Sequence, residues 1–238
     1  MFNLIKYEWL RRWKFFLAGI LIFIIANLEI ISQLSLQKSP RNLTIVLMGL
    51  VFAMALALFF DHIGRLYRSL FSDEGFLEFT LPLRGYQFLG AKILAVLLEC
   101  IALGIFVSIA LYVDYLYLNQ FFPREAPTPL REDILIIIVQ IFFLLLLSYI
   151  IFLLTIYLSM TLSKTIFASL KHGKLIAFGC FLVIYKAIQR ITEITHSHIT
   201  DMSLPGIIMA RPDWLTLTAI LIVLFISTSY LLDRKINL

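Results

Sequence analysis

Long apolar runs recur along this chain, and few folds can accommodate them. They are Phe15–Leu36, Leu43–Ile63, Ile93–Leu118, Ile134–Leu162, Leu175–Ile191 and Leu215–Leu232. Each is about long enough to cross roughly 30 Å of hydrocarbon at about 1.5 Å per residue, the fifth only marginally. The runs are continuous, whereas the strands of a membrane barrel alternate over about ten residues, so they predict helices. Lipid leaves no third option, because backbone N–H and C=O groups there must be satisfied within the protein. The expectation is an all-α integral membrane protein with about six transmembrane helices, forming one membrane domain over residues 1–238.

Composition agrees with this reading. The chain is 61% hydrophobic and 15% charged, with a mean hydropathy of +0.94, against about 45–50% apolar residues in soluble domains. That excludes a water-soluble fold. The net charge of +5 does not point to nucleic acid, because Lys and Arg fall in short clusters between apolar runs and not on one face. Anionic lipid headgroups are the expected partner. Cys100 and Cys180 lie inside apolar runs, where thiols behave as small buried hydrophobes, and no disulfide is expected.

Basic residues set the orientation. With the N-terminus inside, 13 of the 20 Lys and Arg face the cytoplasm: Lys6, Arg11, Arg12, Lys14, Arg65, Arg68, Arg84, Lys92, Lys164, Lys171, Lys174, Arg234 and Lys235. Six face outward, and Lys186 stays within a span. Both termini are therefore expected in the cytoplasm of a multi-pass cell-membrane protein. The first run is longer than a signal-peptide core and lacks a small-x-small cleavage pattern after it, so it is expected to remain as an anchor.

Between Met1 and Lys14, Phe2, Ile5, Trp9 and Trp13 recur at helical spacing, with Lys6, Arg11, Arg12 and Lys14 largely around the other side. This predicts an interfacial helix over 1–14 on the inner leaflet, the alternative being a simple basic flank of the first span. Outside, short loops are expected at Gln37–Asn42 and around Pro123, Pro127 and Pro129, with a longer extracellular loop over 192–214. The apolar patch Leu204–Ala210 fits a short re-entrant or interfacial piece of that loop.

The cytoplasmic segment 64–92 carries the most information. Ile63, Leu66, Tyr67, Leu70 and Phe71 stand at i, i+3, i+4, i+7 and i+8, which predicts a short amphipathic helix continuing from the second span or bent away from it. Ser72, Asp73 and Glu74 then lead to Gly75, a residue suited to ending a helix. Pro82 marks a new helical start toward the third span. The product is a helical knuckle suited to docking in a groove on a soluble partner. The alternative is a helix lying on lipid without a partner.

The run FSDEGFLEFTLPLRGYQFLGAKIL resembles the loop between spans two and three of the ABC type-2 permease family, the transmembrane subunits of bacterial ATP-binding-cassette exporters. There a leucine-proline step and a lysine lead into span three. The resemblance covers the chain in outline and about 25 residues in detail. It implies a permease paired with a second permease copy or a related permease, and with two copies of a separately encoded ATPase that holds the ATP and magnesium. The ATPase-coupling interface would correspond to Leu66, Arg68, Phe71, Asp73, Glu74 and Gly75. This chain lacks the large extracellular domain of some related exporters, which puts a periplasmic hand-over role in doubt.

Catalytic signatures are missing. There is no G-x-x-x-x-G-K-[ST] loop, and Gly173-Lys174 lacks the earlier glycine and the following hydroxyl needed to cradle phosphates. H-E-x-x-H and G-x-S-x-G are absent as well. The chain is read as a non-enzyme with no cofactor of its own. His196, His198, Glu193 and Asp201 are ligand types scattered through a polar loop, where such groups more often face water, so no metal is expected. Ala53 and Ala57 would permit close helix approach but do not form a G-x-x-x-G dimer motif.

Glu29, Glu99, Asp114 and Lys186 fall within the apolar runs, where an ionisable group costs roughly 2.5–3.5 kcal/mol on insertion scales unless it pairs or meets water. By position, Glu29, Asp114 and Lys186 lie toward the outer half, which suggests pairing of Lys186 with one of the acids. Glu99 has no evident partner at its depth and is the candidate for a lumen position or an interface contact. Two other functions fit the sequence: a membrane anchor or sensor subunit, and an ATPase-independent channel or secondary transporter.

Overall fold

The computed structural model describes Trp13–Ser35, Arg41–Phe71, residues 84–121, Glu132–Thr165, Gly173–Ser197 and Arg211–Arg234, and every one of these residues except Arg84 is helical. The described residues form six helices, α1 (Trp13–Ser35), α2 (Arg41–Phe71), α3 (Gly85–Phe121), α4 (Glu132–Thr165), α5 (Gly173–Ser197) and α6 (Arg211–Arg234). The expected interfacial helix before Trp13, the residues Asp73, Glu74 and Gly75, the Pro123–Pro129 loop and residues 198–210 lie outside the described residues.

Four stretches among the described residues are long and apolar enough to cross a membrane: Gly85–Asp114, Ile137–Thr165, Leu175–Thr195 and Trp214–Asp233. Leu17–Gln33 is a shorter apolar stretch of α1. Large apolar side chains stand exposed along these helices, among them Ile25 at 66%, Phe52 at 65% and Val183 at 71%. Surfaces of that kind suit lipid, and the chain has the character of a helical membrane protein.

Helices overrun the expected boundaries. α2 continues eight residues past Ile63, and α3 starts eight residues before Ile93, so each reaches into the segment read as cytoplasmic. α3 has 37 residues, about 55 Å of helix, and extends well beyond a hydrocarbon layer of roughly 30 Å. α5 runs to Ser197, into the expected loop over 192–214, with no Gly or Pro between Ile191 and Ser197 to stop it. There Thr192 Oγ1 donates to the carbonyls of Ile188 and Gln189, and Thr195 Oγ1 to that of Ile191.

The packing of the chain divides it into two compact units: Met1–His62 with Leu98–Pro129, and Ile63–Leu97 with Leu130–Leu238. In the first, α1 meets the C-terminal part of α3 where Phe23 and Phe106 pack edge to face at 5.5 Å. The thioether end of Met54 on α2 packs over Gly19 of α1.

In the second unit α4 packs on both α5 and α6, and α5 also touches α6. From Ile150 to Ser163 α4 is buried nearly all round, through Ile151, Leu153, Leu154, Tyr157 and Leu158 among others, as befits a helix apolar on every side. α6 contributes Ile220, Leu224, Thr228 and Leu232, buried at successive turns. The hydroxyls in this interior satisfy themselves: Thr155, Ser159, Thr161 and Thr228 donate to carbonyls three or four residues earlier in their own helices. Ser163 Oγ instead donates to the carbonyl of Gly173 at the start of α5.

Candidate functional site

The buried stripe of α2 runs His62, Arg65, Leu66, Ser69, Leu70, and that of α3 runs Phe88, Leu89, Lys92, Ala95, Val96, Glu99. Both have the three-and-four spacing of one helical face. Within the first unit the two stripes end on each other: His62 Nε2 lies 2.9 Å from a carboxylate oxygen of Glu99, and both side chains are 4% exposed. This corrects the expectation that Glu99 lacks a partner at its depth. His62 was overlooked because it sits at the margin of the second apolar run, next to charged residues. Its place four residues before Leu66, on the same stripe, was the signal that could have found it.

The other intramembrane groups are placed differently. Asp114 accepts a hydrogen bond from Asn27 Nδ2 at 2.9 Å, a tie between α3 and α1. Glu29 is exposed on α1 and accepts from Gln33 Nε2 at 3.4 Å, one turn away on the same helix. Lys186 is exposed on α5. Four residues further on α5, Arg190 and Glu193 approach to 4.0 Å at the surface. Cys100 and Cys180 are half-buried and are not joined in a disulfide. No group of three or more His, Cys, Asp or Glu that could hold a metal is present among the described residues.

The residues implied as an ATPase-coupling interface divide between core and surface. Leu66 is fully buried, and Arg68 and Phe71 are half-buried. The Arg68 guanidinium folds back along α2 over Gly64. Tyr67 and Phe71 stack at 5.0 Å, and Lys164 Nζ of α4 stands 5.3 Å from the centre of the Phe71 ring, within cation–π range.

The start of α3 is held just as firmly. Arg84 accepts from the N–H groups of Gln87 and Phe88 at 2.9 and 3.1 Å, and Gln87 Oε1 accepts from the Arg84 N–H at 3.3 Å. The Gln87 side chain reaching back to the N–H of the residue before the helix is one half of a capping box, and the bonds to Arg84 are made by its backbone carbonyl. The Gly85 N–H donates to the carboxylate of Asp233 at the end of α6. A helix N-terminus has unsatisfied N–H groups and a positive dipole end, so a carboxylate there is favourable. Gly85 is required by this approach, because a Cβ there would come within 2.7 Å of the Ser229 carbonyl oxygen and 3.0 Å of Leu232 Cβ. Lys92, two turns on, is buried with its ammonium 4.7 Å from the centre of the Phe88 ring.

Family models, curated proteins and solved structures were compared with the chain, and none of the three gave a match.

Proposed function

We propose that this chain is the transmembrane permease subunit of an ATP-binding-cassette exporter in the bacterial cell membrane, with about six spans and both termini in the cytoplasm. It would pair with a second permease and be driven by a separate ATPase subunit that carries ATP and magnesium. The observation behind this reading is the fixing of both ends of the segment 72–83 in one compact unit. Phe71 is held at α4 by Lys164, and Gly85 at α6 by Asp233. A force delivered to that segment by a soluble partner would pass into α2 and α4 at one end and into α3 and α6 at the other. Closure of the ATPases around ATP would then re-pack several spans at once and release cargo outward. The permease supplies path and selectivity without covalent chemistry.

Affinity copurification from native membranes tests this reading, using the wild type and the Asp73→Arg/Glu74→Arg double variant. Recovery of an ATP-binding-cassette ATPase with the wild type and its loss with the folded double variant is the expected result. Absence of any ATPase from both samples would favour the second reading, a secondary transporter or channel working without ATPase. The buried His62–Glu99 pair favours that reading, since ionisable pairs inside membrane helices commonly line ion or proton paths.

A further inference from the structure

We infer that His62 and Glu99 form a proton-binding latch between α2 and α3. The pair ties the two helices together and exchanges one proton with water only when they separate. This inference does not depend on which energy source drives the protein.

Residue type makes the first part of the argument. A permanent ion pair between membrane helices needs only a Lys or Arg opposite the carboxylate. Histidine is the side chain whose charge ordinarily changes between about pH 5 and 8. Opposite Glu99 it makes the net charge of the pair depend on one proton. With imidazole neutral and donating its Nε2–H to the carboxylate, the pair carries one negative charge. A proton added at Nδ1 gives imidazolium facing carboxylate, with no net charge and the same Nε2–H donor still in place. The hydrogen bond therefore survives in both states while the electrostatics change.

Burial makes the second part. Both side chains are 4% exposed, so neither protonation site meets bulk water while α2 and α3 are closed at this level. Proton exchange then requires a local opening of the two helices, and its rate reports that opening. Other described charged groups stand on these helices and on α1. α2 carries Asp61 just before His62 and buried Arg65 three residues after it, and α3 carries buried Lys92 seven residues before Glu99. α1 carries exposed Lys14 and Glu29, and α3 carries Asp114, which is occupied by Asn27. Of all these, His62 is the group whose unperturbed titration falls in the neutral range.

The test uses the full chain in lipid nanodiscs. The sequence has four histidines, so His172→Gln, His196→Gln and His198→Gln combined leave His62 as the sole source of a histidine-ring 15N signal. The expected result is a ring that changes protonation state between about pH 5 and 8, with separate signals for its two forms because exchange awaits helix opening. Adding Glu99→Gln should move the titration and merge the two signals into one averaged line. As a second measurement, His62→Lys in the otherwise native chain keeps a cation opposite Glu99 and should flatten the dependence of the unfolding midpoint on pH across that range. The inference is overturned if the His62 ring keeps one protonation state throughout, if it exchanges fast in the presence of Glu99, or if His62→Lys unfolds with the wild-type pH dependence.

Discussion

The two compact units solve the problem of polar groups among apolar helices in different ways. In the first, polarity is shared between helices: buried His62 of α2 holds buried Glu99 of α3, and half-buried Asn27 of α1 holds half-buried Asp114 of α3. In the second, the buried hydroxyls of Thr155, Ser159, Thr161 and Thr228 bond back to their own helices. A hydroxyl is short enough to reach the carbonyl one turn back, so it needs no neighbour. A carboxylate has no donor for that carbonyl when ionised, and Glu99 and Asp114 take their partners from other helices. The first arrangement therefore specifies which helix faces which and at what height, while in the second these hydroxyls leave mid-helix packing to shape and the polar ties between helices lie at helix ends, Ser163 to Gly173 and Gly85 to Asp233. Without a hydrophobic drive between helices in lipid, shape means van der Waals contact around Tyr157, Leu153 and Leu154, all fully buried.

Breaking one member of the central pair should have the largest effect. Glu99→Ala leaves His62 buried without its carboxylate and is expected to cost roughly 3–5 kcal/mol, read as a drop in the unfolding midpoint in detergent or nanodiscs. His62→Leu combined with Glu99→Leu should recover part of that loss, because both members of the hydrogen-bonded pair are removed together. A double variant as unstable as Glu99→Ala would show that the pair does more than satisfy its own members.

Next in size is Gly85→Val, which forces atoms against the Ser229 carbonyl and Leu232. A loss of about 1–3 kcal/mol is expected, accompanied by faster proteolysis at the ends of the 72–83 segment. Asn27→Leu removes the donor to Asp114 and should cost about 1 kcal/mol, in line with interhelical hydrogen bonds in membranes. It should also loosen α1, seen as greater reactivity of cysteines introduced at its exposed positions. The smallest effect belongs to Thr155→Val in the second unit. It keeps the side-chain shape and removes a bond made only within α4, so a change of under about 1 kcal/mol is expected. A loss as large as that of Asn27→Leu would erase the distinction between the two units.

Much of the architecture was legible in residue order. Apolar runs long enough to cross hydrocarbon lie within helices α3, α4, α5 and α6, and the spacing of Ile63, Leu66, Tyr67, Leu70 and Phe71 correctly extended a helix beyond the second run. Helix ends were less legible. Hydropathy marks where side chains become polar, but polarity alone does not end a helix, and α2, α3 and α5 continue past those points, α2 and α3 even through Gly64 and Gly90. The candidate site was half legible. Glu99 stood out because a carboxylate in an apolar run is costly, but its partner lies 37 residues away in sequence, on a helix whose rotation no local pattern sets.

The sequence by itself thus determined the solvent of this protein, its helical class and the positions of its costly groups, because these follow from local hydropathy and from the need to satisfy the backbone within each helix. Only the tertiary structure decided that Glu99 meets His62, that Asp114 meets Asn27, and that Asp233 caps the start of α3. Those pairings depend on helix rotation and axial offset. Both are set by close contacts such as Gly85 against Ser229 and Phe23 against Phe106, which join residues far apart in the chain.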